Sequence, residues 1–122
     1  MSRVLVVEDS DSACDLIRDF LESKGYDVFL SRTGEDALAK VRELKPDVML
    51  LDIVLPGIDG MEVLRRVRQF DENIGIIMIT NVIDEDVGRA ALKKGADYYL
   101  TKNINFDYLE MCLLVYLAMR KR

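Results

Sequence analysis

A single doubly wound α/β domain, with five parallel strands and five helices, is what three features of this sequence point to. Short apolar runs alternate five times with amphipathic stretches at helical spacing. The runs are continuously apolar rather than alternating, as expected of strands covered on both faces. The links between them are short, which demands right-handed crossovers and a parallel sheet. At 122 residues the chain is long enough for one core and too short for two.

Val4-Leu5-Val6-Val7 is the first strand, closed by Glu8-Asp9. Ser10 or Asp11 can cap the helix that follows, in which Ala13, Ile17, Phe20 and Leu21 share a stripe and Gly25 is the stop. Asp27 to Leu30 is the second strand. Thr33 and Asp36 then stand at capping-box spacing, with Asp in place of the longer Glu, ahead of a helix burying Ala37, Val41 and Leu44 and closed by Pro46.

Asp47 to Asp52 reads as the central buried strand, broken by Leu55-Pro56-Gly57. Asp59 is placed to cap a helix carrying Met61, Leu64 and Val67. Gly75 to Thr80 is the fourth strand. Its helix starts near Asp84 or Glu85, which suit the positive end of the helix dipole, and finishes at Lys93-Lys94-Gly95. Asp97 to Thr101 is the fifth strand, and a last helix runs from about Phe106 to Met119.

In a parallel sheet the residues that close the strands gather at one edge, and here they are Glu8 and Asp9, Asp52, Thr80 and Lys102. Strand two offers only Ser31 and Arg32, which fits the order 2-1-3-4-5, where it lies at the border away from the crevice between strands one and three. Singly, each has an ordinary explanation: a solvated acidic loop, a turn-starting Asp, a strand-end Thr, a surface Lys. Their joint arrival at one end of four strands does not. Three crowded carboxylates call for a cation. The chain has no histidine, so oxygen donors point to magnesium, with manganese or calcium as the other hard cations. The backbone carbonyl of Val54 is the nearest further ligand by chain geometry. Lys102 and Thr80 suit an anion instead, and a phosphoryl group on Asp52 could meet the metal, the ammonium and the hydroxyl together.

Composition narrows the classes. Half the residues are apolar and 32% are charged, a globular balance, and no apolar run approaches a bilayer span. A cytoplasmic protein with no membrane contact is expected, with Cys14 and Cys112 reduced and packed. The net charge of -5 argues against direct nucleic-acid binding by this chain. The basic Arg120-Lys121-Arg122 end reads as the start of a linker after a domain spanning 1–122.

Glu8-Asp9, Asp52 with Pro56-Gly57 and Gly60 downstream, Thr80, and Gly95-Ala96-Asp97 leading to Tyr99 and Lys102 together resemble a response-regulator receiver domain of two-component signalling, chemotaxis-receiver-like and flavodoxin-like in fold. The resemblance covers the whole chain. It implies that Asp52 accepts a phosphoryl group from the phosphohistidine of a sensor histidine kinase or a phosphotransfer protein, that Glu8, Asp9 and Asp52 hold magnesium, and that Lys102 contacts the phosphoryl group. Thr80 would move towards it and Tyr99 would swing inwards. Such a chain is a phosphoprotein signalling domain, not an enzyme beyond its own phosphotransfer and slow autodephosphorylation.

Five positions depart from the commonest family pattern: Glu8 where Asp is usual, Asn81 after Thr80, Asn103 where proline often gives a cis bond, and apolar Val54 and Val82 where a water-orienting residue often stands. A non-proline cis bond costs about 3 kcal/mol, so Asn103 argues for trans. The two valines imply slow loss of the phosphoryl group. Asn81 and Asn103 are the best support for the alternative, a phosphorylation-independent pseudo-receiver. A dehalogenase-type phosphatase would need a second Asp where Val54 stands. In the last helix Leu109, Cys112, Leu113, Tyr116 and Leu117 form one stripe, leaving Met111, Leu114, Val115 and Ala118 on other sides. A homodimer or an effector is expected to cover the fourth helix, fifth strand and fifth helix.

Overall fold

The computed structural model describes residues 2–81 and 84–120. Val82, Lys121 and Arg122, for which expectations are stated above, lie outside them. The elements follow in strict alternation: β1 (Arg3–Val7), α1 (Asp11–Ser23), β2 (Asp27–Ser31), α2 (Gly34–Leu44), β3 (Val48–Asp52), α3 (Gly60–Phe70), β4 (Gly75–Thr80), α4 (Glu85–Lys93), β5 (Tyr98–Thr101) and α5 (Phe106–Arg120).

The five strands form one parallel sheet in the order β2-β1-β3-β4-β5, as expected. Successive side chains point to opposite faces, so each continuous apolar run feeds two cores. Leu5, Val7, Met49, Leu51, Ile76 and Met78 face α2, α3 and α4 through Ala37, Val41, Val63, Leu64, Val67 and Ala91. Val4, Val6, Val48, Leu50, Ile77 and Ile79 face α1 and α5 through Ile17, Leu21, Leu109, Cys112 and Leu113. The three inner strands are buried almost throughout, whereas β2 and β5 at the borders are half-buried.

Helix starts follow the expected chemistry. Ser10 Oγ accepts from Ala13 N–H, Thr33 Oγ1 from Asp36 N–H, Asp59 Oδ1 from Glu62 N–H and Asp84 Oδ1 from Asp86 N–H. The reciprocal half of the Thr33 capping box is not among the bonds found, because the Asp36 carboxylate turns to Ser31 Oγ (2.7 Å) and Lys40 Nζ (3.0 Å) instead. The buried face of α1 is centred on Cys14 rather than Ala13, which is half-buried, and α3 adds Val63 to the expected stripe. Both cysteines are buried and unbridged.

At the other end of the sheet, Arg68 of α3 acts as a tie that periodicity does not reveal. Its guanidinium donates to the Gly95, Asp71 and Ile74 carbonyls and to Asp97 Oδ2, and that same Oδ2 accepts from Ile76 N–H. The planar fork of an arginine is what allows one side chain to hold the starts of β4 and β5 against α3. Among the described residues no helix is long and apolar enough to cross a membrane.

Candidate functional site

The parallel sheet brings the C-terminal ends of β1, β3, β4 and β5 to one edge, and with them Glu8, Asp9, Asp52, Thr80 and Lys102. Asp52 ends β3 between β1 and β4, and is 4% exposed; Glu8 follows β1 and is 3% exposed. Asp9 is exposed beside them. One oxygen from each of the three carboxylates lies within 4.8 Å of the others.

Lys102 follows β5 directly and reaches back across the mouth of the sheet. Its Nζ is 2.7 Å from Glu8 Oε1 and 2.9 Å from Asp52 Oδ2. The position of the residue is set by the backbone, since Lys102 N–H donates to the Thr80 carbonyl (2.8 Å). The remaining Asp52 oxygen, Oδ1, accepts from Val54 N–H at 3.2 Å. Glu8 Oε2 accepts from Ser10 N–H at 3.0 Å, at the start of α1.

These contacts set the charges. Burial pushes the Glu8 carboxyl above its usual range, outweighing the hydrogen bonds from Lys102 and Ser10 and aided by the neighbouring Asp52 charge. Burial opposes the Lys102 ammonium too, but hydrogen bonds to Glu8 and Asp52 outweigh it, so its pKa lies above the ordinary lysine value. One cation thus serves two buried carboxylates with a third alongside, an excess of negative charge of the kind that a hard divalent cation relieves. All-oxygen donors with no histidine in the chain fit magnesium or manganese.

Thr80 is fully buried at the end of β4. Tyr99 of β5 is half-buried and packs on the α2–α4 side of the sheet, its ring so near α4 that a β-carbon on Gly88 would lie 3.1 Å from it. Asn81 and Asn103 are exposed, and no cis peptide bond occurs among the described residues. The Val54 side chain is exposed beside the acidic cluster.

Two features of the site escape a reading of the sequence. Gly60 is pressed against the C-terminal end of β3: a β-carbon there would lie 2.1 Å from the Asp52 carbonyl oxygen, and Gly60 N–H donates to the Ile53 carbonyl at 2.7 Å. The glycine is visible in the motif, but the close approach is not. The second is the Glu8–Lys102 ion pair, which joins residues 94 positions apart and has no signal in spacing.

A family model described as response regulator receiver domain matches residues 4–113. The chain belongs to the response regulator receiver domain family. This receiver is 39% identical over 110 residues to the transcriptional regulatory protein TrcR of Mycobacterium tuberculosis, covering 88% of this chain and 42% of that protein. It is 41% identical over 100 residues to the alkaline phosphatase synthesis transcriptional regulatory protein PhoP of Bacillus subtilis, covering 82% and 42%. The receiver therefore spans about two fifths of the length of these curated relatives. Among solved structures, the BeF3-activated N-terminal receiver domain of Klebsiella pneumoniae RstA superposes with a TM-score of 0.91 at 30% identity, covering 95% of this chain and 98% of that one.

Proposed function

We propose that this receiver accepts a phosphoryl group on Asp52 from the phosphohistidine of a sensor histidine kinase or phosphotransfer protein, and that the modified form switches a partner surface. The single observation that carries the reading is the Lys102 ammonium held 2.9 Å from a nearly buried Asp52 carboxylate. In the transfer, an Asp52 oxygen bonds to phosphorus as the P–N bond of the donor breaks. The electron pair goes to the imidazole ring, which takes up a proton. Lys102 balances charge on the phosphoryl oxygens, and Thr80, at the end of the adjacent strand, supplies a hydroxyl.

Asp9, Asp52 and the Val54 carbonyl would hold magnesium, with Glu8 contributing the remaining charge beside them. The ion would supply charge neutralisation between the carboxylates and the phosphoryl oxygens. That the similar RstA receiver is described as BeF3-activated supports the same chemistry, since BeF3 is a phosphoryl analogue. Val54 offers no polar group to orient a hydrolytic water, so the adduct is long-lived.

The outward faces of α4, β5 and α5 form the switching surface. Leu92 of α4 and Tyr108, Met111, Val115 and Met119 of α5 are exposed apolar side chains on these elements. Thr80 and Tyr99 lie between this surface and Asp52, Thr80 closing β4 and Tyr99 lying on β5. A second copy or an effector covers the face when the site is filled.

The deciding experiment is incubation with an acyl phosphate donor and magnesium. A single acid-stable, base-labile adduct that is absent from Asp52→Asn is expected. No adduct on the wild-type chain, or an undiminished one on the variant, would leave the pseudo-receiver reading in its place.

A further inference from the structure

Lys102 is shared between two carboxylates, and only one of them is the proposed phosphoacceptor. Glu8 is pinned from several sides: its N–H donates to the Ser31 carbonyl (3.0 Å), its own carbonyl accepts from Cys14 Sγ (3.2 Å), and its Oε2 accepts from Ser10 N–H (3.0 Å). Its Oε1 holds Lys102 Nζ at 2.7 Å, closer than the 2.9 Å to Asp52. A carboxylate tied to the start of α1 in this way cannot follow an ammonium that moves outwards.

From this arrangement we infer that Glu8 is a positioning residue that restrains Lys102, competing with a phosphoryl group on Asp52 for the same ammonium and so lowering the receiver's affinity for that group. Phosphoryl oxygens lie farther from β3 than the carboxylate oxygen that carries them, so Lys102 must leave Glu8 to meet them fully. Separating this pair costs the nearly buried Glu8 carboxylate its 2.7 Å hydrogen bond from the ammonium, a loss charged against the modified state even with magnesium beside it. Length is the controlling feature. An aspartate at position 8 is shorter by one carbon–carbon bond, about 1.5 Å, and cannot hold Ser10 N–H and Lys102 together. It would keep the charge and the metal-binding oxygens while giving up the restraint.

The inference rests on the phosphoacceptor reading, and the test separates the two. Beryllofluoride, a phosphoryl analogue, is titrated into wild type and Glu8→Asp at saturating magnesium, while the 15N ammonium resonance of Lys102, assigned by its loss in Lys102→Met, is followed. Glu8→Asp is expected to bind about tenfold more tightly, the scale of one charge-assisted hydrogen bond. Its ammonium resonance is expected to be displaced before any analogue is added. Should Glu8→Asp fail to fold, Glu8→Gln, which keeps the length and loses the charge, is titrated at a magnesium concentration shown to saturate the variant itself, and is expected to bind the analogue more tightly than wild type. Equal or weaker binding by the variant, or tighter binding with an unmoved Lys102 resonance, overturns the restraint and leaves the phosphoacceptor reading intact. Absence of binding to wild type overturns both.

Discussion

The Lys102 ammonium lies 2.9 Å from Asp52 Oδ2, between two residues 50 positions apart that β3, β4 and β5 bring to one edge. Its second partner is Glu8, so among the described residues one ammonium is the cation paired with both nearly buried carboxylates, beside single backbone hydrogen bonds from Ser10 and Val54. Removing either side of the contact should therefore have opposite effects.

Lys102→Met is expected to destabilise the fold by roughly 3 kcal/mol without divalent ions, the scale of breaking a mostly buried ion pair. Asp52→Asn removes one of the repelling charges and is expected to be neutral or stabilising under the same conditions. Urea unfolding in EDTA measures both. Magnesium at a hundredfold excess over its dissociation constant should stabilise wild type by about 2.7 kcal/mol and Asp9→Asn by much less. A Lys102→Met chain as stable as wild type in EDTA would remove the electrostatic account.

Gly60→Ala should be among the costly glycine substitutions. Its β-carbon would overlap the Asp52 carbonyl oxygen at 2.1 Å, a backbone atom of a central strand that cannot yield cheaply. A loss of about 3 kcal/mol or more is expected, at the upper end of overpacking effects, with slower phosphoryl uptake because the end of β3 must shift. Gly25 provides the contrast: its φ of +92° strains an alanine, but nothing lies within 4 Å of the added carbon, so a loss of roughly 1 kcal/mol is expected. Equal losses at the two sites, measured by unfolding midpoints, would contradict this ordering.

Val54 stands exposed two residues beyond Asp52. Replacing it by asparagine introduces an amide that can orient water near the acyl phosphate, and the half-life of the phosphorylated protein should shorten severalfold. The decay of adduct after removal of donor is the measurement. A longer half-life in Val54→Asn than in wild type would count against the slow-hydrolysis proposal.

Asp36 supplies a pH test away from the site. Hydrogen bonds from Ser31 and then Lys40 hold its carboxyl below the ordinary aspartate value of 3.8. A lowered folded-state pKa gives stability that is present above the unfolded value and lost as pH falls through the folded one. The advantage of wild type over Asp36→Asn should thus be constant near neutrality and be lost as pH falls below the ordinary aspartate value of 3.8. The effect is small, since the carboxylate is half-exposed and screened by solvent. A gap that widens on acidification would reverse the assignment.

Alternating apolar runs and capping residues made the five strands, five helices and strand order legible in the chain, because the period of a pattern and the chirality of a crossover are local or near-local properties. The gathering of Glu8, Asp9, Asp52, Thr80 and Lys102 at one edge followed from that topology alone. Which oxygen meets which nitrogen did not follow. The pairing of Lys102 with Glu8 as well as Asp52, the Asp36 carboxylate turning from its capping box to Ser31, and the four-way grip of Arg68 depend on side-chain reach across elements. Such choices are settled only when packed neighbours exclude water and leave each buried polar group the partners within range.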